Sequence, residues 1–329
     1  MATIDRILVP TDYSDYSENA CQFAENLAAA TGGVVDLLHV IPNSILMNEQ
    51  LRETAKDNEE VDNDIYPLIF NEAELKLNSL ARTHFQHKNR GDIFVKVDRS
   101  PAALITDQAW QGNYSLVVMS AKGKDESDMF RGSTTERVLR TSQVPVLSVY
   151  NHPDTLKSGR IIVPVDGSIL SMAAVPAAAL IASLYNASIT FLYVHERMEI
   201  FNRKVPDKAD DVQSGRFSEY LMERLMDFID TMKPQGLHVI DSGELGLTGL
   251  VYNNEEIGIS FEALTGYSAH HEITTYANKF ADMVVMTTHG RSGLAHMLLG
   301  SHAEKVALNT EKTVLTIRPD SKLFDKQKQ

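Results

Sequence analysis

The sequence predicts an α/β protein of two tandem doubly wound domains, each a five-stranded parallel sheet with helices on both faces. Three observations carry this. Val9-Pro10-Thr11-Asp12-Tyr13-Ser14 returns 154 positions later as Val163-Pro164-Val165-Asp166-Gly167-Ser168. Each copy closes with its own Val-Val-Met and, beyond a glycine loop, a Gly-Ser: Val117 to Ser133, and Val284 to Ser301. Between these landmarks short apolar runs alternate with helical stretches, the pattern of parallel βαβ units with right-handed crossovers. The period is too long for a solenoid repeat, so each copy is a whole domain.

In the first repeat, Ile7-Leu8-Val9 suits a strand buried on both faces. Ser14 and Ser17 offer N-caps for a helix through Ala30, and Gly32-Gly33 stops it. Residues 34–40 form the second strand, 68–87 a helix and 93–97 the third strand. Pro101 opens the next helix in its first turn. Residues 115–119 make the fourth strand and 144–149 the last. The second repeat follows the same order. The expected boundaries are 1–150 and 158–319, with a linker at 151–157 and a charged, frayed tail at 320–329. The repeats differ in one respect: Val40 to Val117 spans 77 positions, Val194 to Val284 spans 90. The surplus falls between Glu196 and Tyr267, and residues 244–256 are the place expected for an extra hairpin or lid.

With 31 basic against 44 acidic residues the net charge is −13. That disfavours nonspecific binding to nucleic acid or to an anionic membrane. No apolar stretch is long enough to span a bilayer, and the amino terminus runs straight into a strand without a signal-peptide pattern, so the expected location is the cytoplasm. Cys21 is the only cysteine and reads as a small buried hydrophobe. Trp110 and the scattered methionines read as core or helix packing.

In an open parallel sheet, ligands sit beyond the carboxyl ends of the strands at the topological switch point. Asp12 and Asp166 both follow the first strand of their repeat, where a carboxylate can accept hydrogen bonds from ribose hydroxyls or help position a metal. Gly290 and Gly300 let the backbone approach phosphate oxygens, and the helix opening at Ser301 offers free amides to an anion. The alternative stays open. Ser133-Thr134-Thr135-Glu136 and Ser301-His302-Ala303-Glu304 both fit a capping box, in which the serines only start helices. His270-His271 lacks partners at metal-ligand spacing, so no metal site is expected. Neither a Gly-x-Ser-x-Gly elbow nor a Walker A sequence occurs, and no catalytic residue is identifiable.

Ile7-Leu-Val-Pro-Thr-Asp-Tyr-Ser14, Leu37-Leu-His-Val40, and Thr288-His-Gly-Arg-Ser-Gly-Leu-Ala-His-Met-Leu-Leu-Gly-Ser301 together resemble the universal stress protein family, here in tandem. The likeness covers residues 3–150 and 158–318. It implies the five-stranded sheet of the adenine nucleotide alpha hydrolase-like kind, and pairing of the two repeats through their last strands, with a homodimer of the chain left open. Family members divide into ATP-binding and non-binding types. The binding motif is Gly-x-x-Gly, nine residues, then Gly-Ser or Gly-Thr. Carried over, it assigns Pro164, Val165, Asp166, Val194, Thr287, Gly290, Gly300, Ser301 and His302 to a nucleotide in the second repeat, with Thr287 where the first glycine is expected. The first repeat offers Pro10, Asp12, Val40, Gly123, Gly132 and Ser133. There Ser120 replaces the first glycine, only eight residues separate Gly123 from Gly132, and they include Asp125, Glu126 and Asp128. Near a polyphosphate those acids oppose binding by about 1 to 4 kcal/mol per close pair. The second repeat, with Arg291 and no acid in its loop, is the expected ATP site.

The leading expectation is therefore a cytoplasmic, nucleotide-responsive binding module of the stress response, with ATP, with or without Mg2+, in the second repeat and at most slow hydrolysis. A scaffold that binds no nucleotide is the alternative from another class. An ATP-using enzyme such as a nucleotidyl transferase is the third.

Overall fold

The computed structural model describes residues 4–43, 62–123, 132–196, 216–232, 236–241, 248–288 and 300–318. The chain divides into two compact units, Ile4–Val149 and the chain from Tyr150 onward.

In the first unit the elements run β1 (Arg6–Pro10), α1 (Asp15–Thr31), β2 (Val34–Pro42), α2 (Asp62–His84), β3 (Arg90–Asp98), α3 (Pro101–Gln111), β4 (Leu116–Ser120), α4 (Ser133–Thr141) and β5 (Val146–Val149). The sheet order is β3-β2-β1-β4-β5, and every pairing is parallel. The switch point lies between β1 and β4, both of which are almost wholly buried and so read as continuous apolar runs. Ser14 caps α1 by accepting the Ser17 amide, and Gly32, at φ 75°, ends it with its own amide on the Ala28 carbonyl.

The second unit starts with a 3₁₀ turn at Pro153–Leu156, in the stretch expected to be a plain linker; its Leu156 is buried. Then come β6 (Arg160–Pro164), α5 (Ile169–Met172), α6 (Val175–Tyr185), β7 (Ser188–Glu196), α7 (Arg216–Met232), β8 (Leu237–Asp241), β9 (Thr248–Tyr252), β10 (Glu255–Gly266), α8 (Ala269–Phe280), β11 (Met283–Thr287), α9 (Ser301–Asn309) and β12 (Thr313–Ile317). Five strands repeat the first unit's parallel order as β12-β11-β6-β7-β10. Two more, β9 and β8, add antiparallel beyond β10, so this sheet has seven strands instead of the expected five. The surplus residues thus form the hairpin expected near 244–256. Its turn is Asn253-Asn254, both left-handed at φ 51° and 71°, as a type I′ connection requires. Leu237, Leu250, Tyr252 and Ile257 are buried, which ties the extension into the core.

Two packing expectations change. Trp110 is 53% exposed on α3, and Met232 is 55% exposed on α7, so neither is core. Cys21 is buried as expected, and burial pushes its thiol up to about 12. The tail at 320–329 lies outside the described residues. Among the described residues no helix is long and apolar enough to cross a membrane.

Candidate functional site

Both first strands end in the same hydrogen-bonded frame. In the first unit the Thr11 amide donates to the Leu38 carbonyl (2.9 Å) and carries the β1–β2 ladder one residue past the strand. Asp12 Oδ1 then accepts the Ser14 amide (3.0 Å) and hydroxyl (2.6 Å), while the Ser17 hydroxyl bonds back to the Ser14 carbonyl (2.7 Å). In the second unit the Val165 amide donates to Leu192 (2.9 Å), and Asp166 Oδ1 accepts the Ser168 amide (2.9 Å) and hydroxyl (2.6 Å). The Ser171 hydroxyl closes that frame on the Ser168 carbonyl (2.8 Å). The Val-Pro-x-Asp-x-Ser motif encodes a rigid turn that fixes one carboxylate oxygen.

The residue after each aspartate is left-handed: Tyr13 at φ 60° and Gly167 at φ 78°. Glycine takes that conformation freely, whereas a tyrosine is held there at a cost of about 1–2 kcal/mol. Tyr13 offsets it by packing its ring against His39 at 4.4 Å, tilted by 37°, and donating its hydroxyl to the Ala73 carbonyl of α2 (2.9 Å). Burial, then the nearby Glu72, raises the Tyr13 phenol, which keeps it a donor. In the second unit a Cβ on Gly167 would stand 3.0 Å from the Tyr220 hydroxyl of α7. The aromatic ring beside the aspartate arrives there from a different element.

The second half of each site comes from the last βα connection. Ala121 donates to Val149 (2.7 Å), Gly132 donates to Ala121 (2.9 Å), and the Thr135 hydroxyl donates to the Ser120 carbonyl (2.8 Å). The second unit matches it: Thr288 donates to Ile317 (2.8 Å) and Gly300 to Thr288 (2.7 Å). The N-cap residues are Gly132 and Gly300, not the serines, and neither helix has a side-chain cap hydrogen bond. The capping-box reading is thereby corrected. A glycine cap brings no side-chain oxygen to the first-turn amides of α4 and α9, and among the described residues no side chain caps them.

In the first unit these parts enclose a cavity of about 610 Å3 at the carboxyl ends of β1, β2 and β4, walled by α2 and by the first turns of α3 and α4. All six sequence-assigned residues, Pro10, Asp12, Val40, Gly123, Gly132 and Ser133, line it. A Cβ on Gly123 would press on Asp12 Oδ2 at 3.2 Å, so glycine permits the loop to pass that close. Sequence reasoning missed the walls supplied by α2 and α3: Ile69, Glu72, Lys76 and Ile105. Nothing in α2 flags them locally, because they matter only once the helix lies beside the strand ends. Lys76 is paired with Glu72 (2.6 Å), and Lys122 lies 5.7 Å from the Tyr16 ring.

In the second unit Pro164, Val165 and Asp166 lie at the carboxyl end of β6, and Val194 on the neighbouring β7. Thr287 is buried at the end of β11, and Gly300, Ser301 and His302 open α9. Because β11 adjoins β6, Asp166 and Gly300 share one edge of the sheet. Gly290, with His289, Arg291 and His296, lies outside the described residues. The His302 ring is 5.8 Å from that of His270 on α8. Among the described residues no three His, Cys, Asp or Glu side chains are grouped to hold a metal.

Comparison with known proteins agrees with this duplication. The universal stress protein family matches at residues 3–149 and again at 157–318. A universal stress protein of Methanocaldococcus jannaschii is 27% identical over 165 residues, half of this chain and 84% of that protein. A protein of unknown function from Pseudomonas aeruginosa superposes with a TM-score of 0.60 at 17% identity, covering 98% of this chain and 95% of its own. A universal stress protein from Archaeoglobus fulgidus does so at 0.55 and 18%, covering 96% and 97%. The chain belongs to the universal stress protein family, as a tandem of two such domains.

Proposed function

We propose that this chain is a cytoplasmic, nucleotide-responsive binding protein of the stress response, with an adenine nucleotide as its ligand. The observation that carries the reading is the first unit's cavity. It joins an apolar slot (Val40, Ile69, Ile105, Met119) to a fixed carboxylate at Asp12 and to the uncapped start of α4. A flat base suits the slot, ribose hydroxyls suit the carboxylate, and a phosphate suits the open amides. ATP in the second domain is the companion reading. It is favoured by the matching frame at Asp166, the glycine-capped α9, the nine-residue spacing and Arg291. The activity is binding, and any hydrolysis is expected to be slow.

Calorimetry of the full chain with ATP and AMP, repeated on Gly132→Val and Gly300→Val, tests this. Among the described residues a Cβ at Gly132 meets nothing closer than 3.6 Å, so the fold accommodates it while the valine branches intrude on the ligand's space. Each variant should lose the binding of its own domain and keep a native far-UV spectrum. Absence of binding by the parent chain to either nucleotide would leave the scaffold reading in possession. Binding unchanged in both variants would place the nucleotide elsewhere.

A further inference from the structure

The two domains share a frame but differ in what lines its rim. The last residue of the second strand is Pro42 in the first domain and Glu196 in the second. The second residue of the helix after β3 or β10 is Ala102 against His270, and the second residue of the last helix is Thr134 against His302. Pro42 and Thr134 line the first domain's cavity. In the second domain those positions gather imidazoles. His270 and His302 stand 5.8 Å apart, centroid to centroid, at the openings of α8 and α9. The Ser268 hydroxyl fixes the His270 ring through Nδ1 at 2.6 Å.

We propose that His270, His302 and Lys305 form an anion anchor in the second domain, which takes a polyphosphate-type anion and holds it more tightly as the pH falls. The charged groups acting on His270 are Lys305 and His302 from α9, His271 from its own helix, and Glu196 from β7. Glu196 already accepts the Ala269 amide at 2.6 Å, so it serves the α8 terminus. The balance around the ring is therefore cationic. Burial first, then Lys305, His302 and His271, hold His270 below the usual imidazole range, against the single opposing pull of Glu196. A metal ion would meet that same positive field and the adjacent Lys305, whereas an anion relieves it. An anion seated there favours the protonated His270 ring, so binding takes up a proton, and affinity rises as pH falls through that ring's lowered range. The first domain, with Ala102 and Thr134 in these places, has no such response.

The inference rests on the phosphate end of the proposed second-domain ligand, and a probe without a base tests it separately. Inorganic tripolyphosphate is titrated into the full chain at about pH 6 and about pH 8, where the imidazole charge differs most. The expected result is affinity at least about tenfold higher at the lower pH, the linkage of roughly half a proton averaged over two pH units. In the His270→Gln/His302→Gln variant that pH response should shrink to what the probe's own protonation supplies. Lys305→Gln should weaken binding at both pH values. Equal pH response in the double variant and the parent, or no tripolyphosphate binding at the lower pH, overturns the anchor. ATP binding by a chain that ignores tripolyphosphate would sink the anchor and leave the nucleotide reading standing, whereas tripolyphosphate binding without nucleotide binding would do the reverse.

Discussion

Asp36, the third residue of β2, is 1% exposed, and its carboxylate is filled by donors from three residues. Arg6 Nε reaches it at 2.7 Å, the Asp92 amide at 2.8 Å and the Tyr114 hydroxyl at 2.6 Å. A side chain on Gly91 would collide with it, so the next strand needs glycine there. Arg6→Ala is expected to cost about 3–5 kcal/mol by leaving the carboxylate buried without its counter-charge, read as a fall in urea midpoint. The double variant Arg6→Ala/Asp36→Thr should cost less than the sum of its parts. The second domain shows the neutral version: Thr190 holds the matching place and bonds Ser260 at 2.9 Å. None of this was legible along the chain, where Asp36 is one acid in an apolar run and its partners lie 30, 56 and 78 residues away. Cys21 was legible from its helical neighbours. With its thiol pushed up to about 12, it should resist alkylation at pH 8 in the native protein and react on unfolding, as mass spectrometry would show.

Helix starts carry the functional signal at the next scale, and here the sequence misled in an instructive way. Ser-x-x-Glu spells a capping box, yet in both domains the preceding glycine takes the cap and the serine becomes the first helical residue. The amide of that glycine is spent on Ala121 or Thr288 in shaping the loop, so the backbone enters each helix one residue early. A test follows with opposite signs on two readouts. Gly132→Asp places a carboxylate over the open amides of α4, so the protein should gain about 0.5–1 kcal/mol. Nucleotide affinity in the first domain should fall at the same time by more than about tenfold, the equivalent of one displaced charge-assisted contact. Loss of both stability and binding would mean that the glycine serves the fold alone. The β9–β10 hairpin was legible as a length surplus, but hairpin and lid stayed open, because its turn is Asn-Asn with no glycine. Asn254→Gly should raise stability by about 0.4–1 kcal/mol, since the left-handed backbone at φ 71° is free to glycine.

For the whole molecule, the duplication was the strongest signal in the sequence: the five strands shared by the repeats and their parallel sense follow from motif recurrence and alternation, whereas the two strands added in the second unit do not. What escaped was everything set by contact between distant elements, namely the cavity walls from α2 and the imidazole pair from α8 and α9. Each unit has its own core, so ligand binding should stabilise them separately. At a ligand concentration of 100 Kd the bound unit gains about 2.7 kcal/mol. Scanning calorimetry with ATP should therefore show the gain removed piecewise, one part by Gly132→Val and the other by Gly300→Val. A shift that either variant abolishes completely would show that one domain alone is responsible.

Tyr13 and Tyr220 put an aromatic ring in matching places from unlike sources, one from the turn itself and one from a helix some 50 residues downstream of Gly167. The two repeats are consequently not interchangeable modules, although their frames coincide. Grafting residues 4–33 in place of 158–187 would crowd Tyr13 against Tyr220, and the reverse graft would leave α2 facing a glycine and an empty slot. Chimeras recombined between the halves should therefore be less stable at this junction than the parent chain, a loss that thermal unfolding of the two grafts would measure.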